Sequence, residues 1–123
     1  MANTIKITAC DNELILIAYQ SGSSFELCRI LSGYNNSVNI SVNIYNGQFQ
    51  GTLLLDGINP GNSLSGTYNI ALAKGQYSLI GLGIDWGGPQ AFAFSLNGSA
   101  AGFIATGGAD GLVSYTKPIV LTV

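Results

Sequence analysis

Apolar residues recur at every second position over most of this chain, and nowhere keep the spacing that lines one face of a helix. Successive side chains on a strand point to opposite faces, so such a pattern builds half-buried strands. The clearest stretch is Val38-Asn39-Ile40-Ser41-Val42-Asn43-Ile44-Tyr45, a strict alternation of β-branched and short polar residues. Seventeen glycines interrupt the pattern at close intervals, which suits short strands and disfavours helix interiors. Ten strands are predicted, near 4–10, 13–20, 25–31, 38–45, 48–56, 67–73, 76–86, 91–96, 99–106 and 112–123. The expected fold is therefore all-β: one antiparallel β-sandwich over residues 1–123, jelly-roll or immunoglobulin-like in type.

Turn chemistry suggests which strands pair. Asn46-Gly47 suits a type I′ turn, because both residues tolerate positive φ. It predicts a hairpin of 38–45 with 48–56 that sets Ile44 against Phe49, Val42 against Gly51, Ile40 against Leu53 and Val38 against Leu55. Lys74-Gly75 would set Leu72 against Tyr77 and Ile70 against Leu79. Asn97-Gly98 would set Phe92 against Phe103 and Phe94 against Ala101. Between Leu79 and Ile80 the apolar parity switches, which predicts a bulge near Gly81 or a strand crossing between sheets.

A chain of 123 residues is long enough to bury one core without cross-links. Its 47% hydrophobic and 8% charged content excludes disorder. Four basic residues against six acidic ones supply almost nothing for neutralising phosphates, which argues against nucleic acid or an anionic membrane surface as partner. The longest apolar run, residues 14–19, is too short for a transmembrane segment. The opening residues lack the basic start and apolar core of a signal peptide. Synthesis in the cytosol is expected, with release or assembly outside the cell left open. Cys10 and Cys28 are read either as a disulfide or as two reduced thiols packed as small hydrophobes.

Consecutive antiparallel strands reverse direction, so their connections alternate between the two ends of a domain. Counting directions sends the turns at 21–24, 46–47, 74–75 and 97–98 to one end. The connections at 11–12, 32–37, 57–66, 87–90 and 107–111 go to the other, and all four aspartates, Asp11, Asp56, Asp85 and Asp110, lie on or beside them. The single tryptophan, Trp86, stands beside Asp85. Short carboxylates and amides suit vicinal hydroxyls, an indole suits the apolar face of a pyranose, and glycine lets a ligand approach the backbone. The candidate ligand-binding set is Tyr34, Asp56, Asn59, Asp85, Trp86, Gly87, Gln90 and Asp110. Asp56, Asp85 and Asp110 are also the candidate ligands for Ca²⁺, a hard cation that prefers oxygen. The bland alternative is that these residues only shape turns and that Trp86 plugs the open end of the core.

Catalysis is not expected. The chain has no histidine, no nucleophile elbow and no phosphate-cradling loop, and a carboxylate pair among Asp56, Asp85 and Asp110 would have little cleft in which to hydrolyse a glycoside. Three readings follow. The first is a lectin-like, carbohydrate-binding module that oligomerises to gain avidity. The second is a self-assembling subunit of a capsid, fibre or filament, whose partner is another copy of itself. The third is a pore-forming toxin whose alternating segments become membrane hairpins.

Overall fold

The computed structural model describes residues 3–33, 36–58 and 64–123, and among these the chain is all β. Eleven strands form: β1 (Asn3–Gln20), β2 (Ser23–Ser32), β3 (Val38–Asn46), β4 (Leu53–Asp56), β5 (Leu64–Leu72), β6 (Gln76–Asp85), β7 (Ala91–Leu96), β8 (Ser99–Ala100), β9 (Phe103–Ala105), β10 (Gly111–Thr116) and β11 (Ile119–Thr122). Hydrogen bonding joins them into one multi-strand sheet. No helix among the described residues is long and apolar enough to cross a membrane.

The predicted strands 4–10 and 13–20 are one strand, β1, and it belongs to two ladders. Its first half pairs with β3 and β7 as far as Asp11, which meets Ala91. From Asn12, which meets Ser32, its second half pairs with β2 and β6. The first ladder therefore reads β5-β3-β1-β7-β8, and the second β4-β2-β1-β6-β10-β9, with β11 also on β6. The expectation of purely antiparallel pairing fails at two places, since β2 with β4 and β3 with β5 run parallel.

The Asn46-Gly47 hairpin does not form. β3 takes β1 and β5 as neighbours, and only Leu53–Asp56 of the predicted 48–56 strand is extended in a ladder, beside β2. Phe49 packs instead against Phe25, ring centroids 5.3 Å apart. Period-two patterning says which face a residue takes but not which strand lies beside it. Lys74-Gly75 likewise connects β5 in the first ladder to β6 in the second, so Leu72 and Tyr77 are not cross-strand partners. Gly75 exchanges both backbone hydrogen bonds with Val123. The Asn97-Gly98 turn does form its hairpin, with Ser95 opposite Ala100 and the Ala101 N–H donating to the Phe94 carbonyl. The chain then leaves for the second ladder, where Phe103–Ala105 pairs with β10.

β6 contains no parity switch. Its register against β1 is unbroken, and Tyr77, Leu79, Gly81, Gly83 and Asp85 alternate as the buried positions. The glycines make room for rings: a Cβ on Gly81 would lie 2.7 Å from Phe94, and one on Gly83 2.8 Å from Phe92. The bulges fall elsewhere, at Thr8 in β1, Leu27 in β2 and Val113 in β10; the last two extra residues are buried and Thr8 is exposed. One core cluster draws on both ladders, including Ile5, Ile7, Ile40 and Ile44 from the first and Leu14, Leu16, Ile30 and Leu79 from the second. Cys10 and Cys28 sit in it as free thiols, the first donating to the Ile30 carbonyl at 3.3 Å.

Candidate functional site

β1 crosses from one ladder to the other at Asp11-Asn12, and neighbouring strand ends gather there. β2 ends opposite Asn12, β6 ends at Asp85 opposite Gly111, and β7 begins beside Asp11. Asn12 fastens this rim. Its Nδ2 donates to the Ser32 carbonyl at 3.3 Å, and its Oδ1 accepts the Trp86 N–H at 2.8 Å. The side chain is almost fully buried, so each of these bonds satisfies a group that water reaches poorly.

The turn after β6 is held from within. Asp85 is completely buried, and its Oδ2 accepts the Gly87 N–H at 3.3 Å. Gly87 and Gly88 take φ values of 117° and 90°, which only glycine adopts without strain. This path leaves Trp86 53% exposed, so it does not plug the core. Gln90 reaches across to the Gly108 carbonyl at 3.2 Å and ties this turn to the connection between β9 and β10. Asp110 is exposed on that connection, next to the Gly111 that pairs with Asp85. Asp11 is near enough to Asp85 to feel its charge. Burial first, and then that charge, raise its carboxyl above the ordinary aspartate value.

Asp56 is on the same rim but does not join the group. Asp56, Leu31, Glu13 and Ile84 form one row across β4, β2, β1 and β6. Two strands thus separate Asp56 from the Asp85 strand, about 14 Å at the usual strand spacing. Asp85 also follows Ile84, so its side chain points to the opposite face from Asp56. The Asp56 Oδ1 accepts the Ile58 N–H at 2.9 Å, which shapes its own turn. Asp56, Asp85 and Asp110 therefore cannot share one calcium ion, and no group of three acidic, histidine or cysteine side chains suited to a metal occurs among the described residues. Tyr34 and Asn59 lie outside the described residues. The residues brought together are Asp85, Trp86, Gly87, Gln90 and Asp110, with Asp11 and Asn12 added.

The outer face of the second ladder is a feature the turn argument did not anticipate. One row there reads Tyr115, Leu82, Ile15, Arg29 and Leu54, and the next Leu112, Ile84, Glu13, Leu31 and Asp56. Leu54, Leu112, Tyr115 and Val120 on this face are all exposed. Three of its charged residues are paired with one another: Arg29 bridges Glu13 at 2.8 Å and Glu26 at 2.7 Å. The sequence carried a signal for this in the unbroken run Leu14-Ile15-Leu16-Ile17, which is apolar on both faces of a strand.

Compared with family models, curated proteins and solved structures, the chain finds no match.

Proposed function

We propose that this protein is a non-enzymatic binding domain that recognises carbohydrate at the rim around Trp86. The observation that carries this reading is a half-exposed indole whose backbone is fixed on both sides, by Asn12 at Trp86 and by Asp85 at Gly87. A fixed backbone there limits what the indole loses in entropy when a sugar stacks on it. Gln90 and Asp110 supply amide and carboxylate partners for hydroxyls around it, and Gly87 and Gly88 leave the backbone open to approach. We also infer that the two ladders are the layers of a small sandwich, supported by Phe92 and Phe94 lying over Gly83 and Gly81. The two parallel strand pairs weigh against a plain jelly roll. A glycan array probed with tagged protein tests the function: binding by the native chain, lost in a folded Trp86→Ala variant, is expected. An array without hits contradicts the proposal.

The apolar outer face favours a second reading, a self-assembling structural subunit. Exposed apolar side chains gathered on one face mark an interaction site, and Arg29, shared between Glu13 and Glu26, offsets one of the two glutamate charges that would repel another copy. The two readings are compatible where an oligomer presents several rims at once. Solution scattering over a concentration series separates them. Assembly that Leu112→Lys abolishes supports the second reading, and a monomer at every concentration rejects it.

A further inference from the structure

Asp85 carries an oxygen that the protein leaves unmet. The residue is fully buried, its Oδ2 serves Gly87, and its Oδ1 has no hydrogen-bond partner. A carboxylate oxygen sealed from water without a donor is costly, and calls for a group that is not part of the chain. Asp11 stands at the same corner, next to the Asn12 that holds the Trp86 N–H, and burial and then the Asp85 charge raise its carboxyl.

The chain has no cation of its own to place there. It contains only four basic residues, Lys6, Arg29, Lys74 and Lys117. Arg29 is engaged by Glu13 and Glu26. Lys74 lies in the turn just before β6, and Lys117 just after β10; Asp85 ends β6 opposite the start of β10, so both lysines are at the other end of these strands. Lys6 is five positions from Asp11 along β1 (about 17 Å at the rise of an extended strand). Two carboxylates, one with a bare buried oxygen and neither with a basic partner, describe half of a cation site.

We propose that Asp11 and the Oδ1 of Asp85 bind a single Ca²⁺ ion at this corner. Calcium accepts a flexible shell of six to eight oxygens and takes carbonyls and water alongside carboxylates, whereas Mg²⁺ demands strict octahedral geometry and gives up water reluctantly. A site with two carboxylates on two different strands suits the more tolerant ion. Bound there, the ion ties β1 to β6 directly beneath Trp86. This proposal does not depend on the sugar reading: the ion would bind in the absence of any glycan.

Terbium substitutes for calcium at oxygen sites and emits when a nearby indole is excited, and Trp86 is the only indole in the chain. The native protein is expected to give sensitised Tb³⁺ emission that added Ca²⁺ quenches, and Ca²⁺ is expected to raise the unfolding temperature. Asp85→Asn, which keeps an acceptor for the Gly87 N–H, is expected to lose both effects. If that variant is unfolded by circular dichroism, Asp11→Asn serves in its place and is expected to weaken both. Absence of both effects in the folded native protein overturns the proposal. So does their survival in both folded variants, because the ion is then held elsewhere.

Discussion

Replacing Gly83 by alanine tests whether the two ladders press on one another. Phe92 pairs with Cys10 in the first ladder, yet its ring lies where a Cβ on Gly83 of the second would be, 2.8 Å from Cδ2 and Cε2 and 2.9 Å from Cγ. Three ring atoms are too close at once, so the whole ring must move, and Phe103 stands behind it at a centroid distance of 5.9 Å. Overpacking of this kind costs about 1–3 kcal/mol. The gain from stiffening the unfolded chain returns about 0.4–1 kcal/mol. The net expectation is a loss of about 1–2 kcal/mol, or roughly 4–8 °C in unfolding temperature. The assay is urea unfolding followed by circular dichroism, with Gly102→Ala as control, since no atom lies within 4 Å of a Cβ there. A double variant with Phe92→Leu should recover part of the loss, as a coupling energy of at least about 0.5 kcal/mol. If Gly83→Ala is as stable as the native chain and uncoupled from Phe92, the ladders do not face each other at this point.

Three further outcomes are expected. Asn12→Ala removes the acceptor of the Trp86 N–H and the donor to Ser32, and should cost about 1–3 kcal/mol in chemical unfolding; an effect below about 0.5 kcal/mol would mean water replaces both bonds. The hydrogen bond from Arg29 holds the Glu26 carboxyl below its ordinary 4.5, so this contribution is complete above that value and disappears as pH falls through the lowered one. Arg29→Met should therefore destabilise the protein near neutrality and lose much of its effect in acid, once Glu26 is protonated; a pH-independent difference would assign the role of Arg29 to packing. Burial pushes both the Cys10 and Cys28 thiols up to about 12, so a thiol reagent at mildly alkaline pH should modify neither until the protein unfolds. Rapid modification of the native state would place one of them at the surface.

Strand existence was legible because burial on one face writes itself into alternate positions, as in Val38–Asn46. Part of the candidate set was legible, since Asp85, Trp86, Gly87, Gln90 and Asp110 lie together, although the 11–12 connection expected between two strands is the interior of β1. Neighbours were not. The pattern in β3 is satisfied equally by its real partners, β1 and β5, and by the local hairpin that Asn46-Gly47 advertises. Gly81 and Gly83 resembled a break in the pattern because the side chains filling their positions, Phe94 and Phe92, come from another strand. Asp56 illustrates the remaining difficulty. Direction alone sends it to the same rim as Asp85, but the number of strands between them and the face each takes depend on pairing.

Because Trp86 is the single tryptophan in the chain, indole fluorescence reports on the rim and nowhere else. Titrating the native protein with the glycans that score on the array, while following that emission, measures whether ligand arrives where the indole is exposed. Saturable binding is expected to shift the emission to shorter wavelength as a sugar covers the ring, with the same midpoint as the calorimetric titration. Glycan binding that saturates calorimetrically while the emission stays unchanged would contradict the account and move the binding surface away from Trp86.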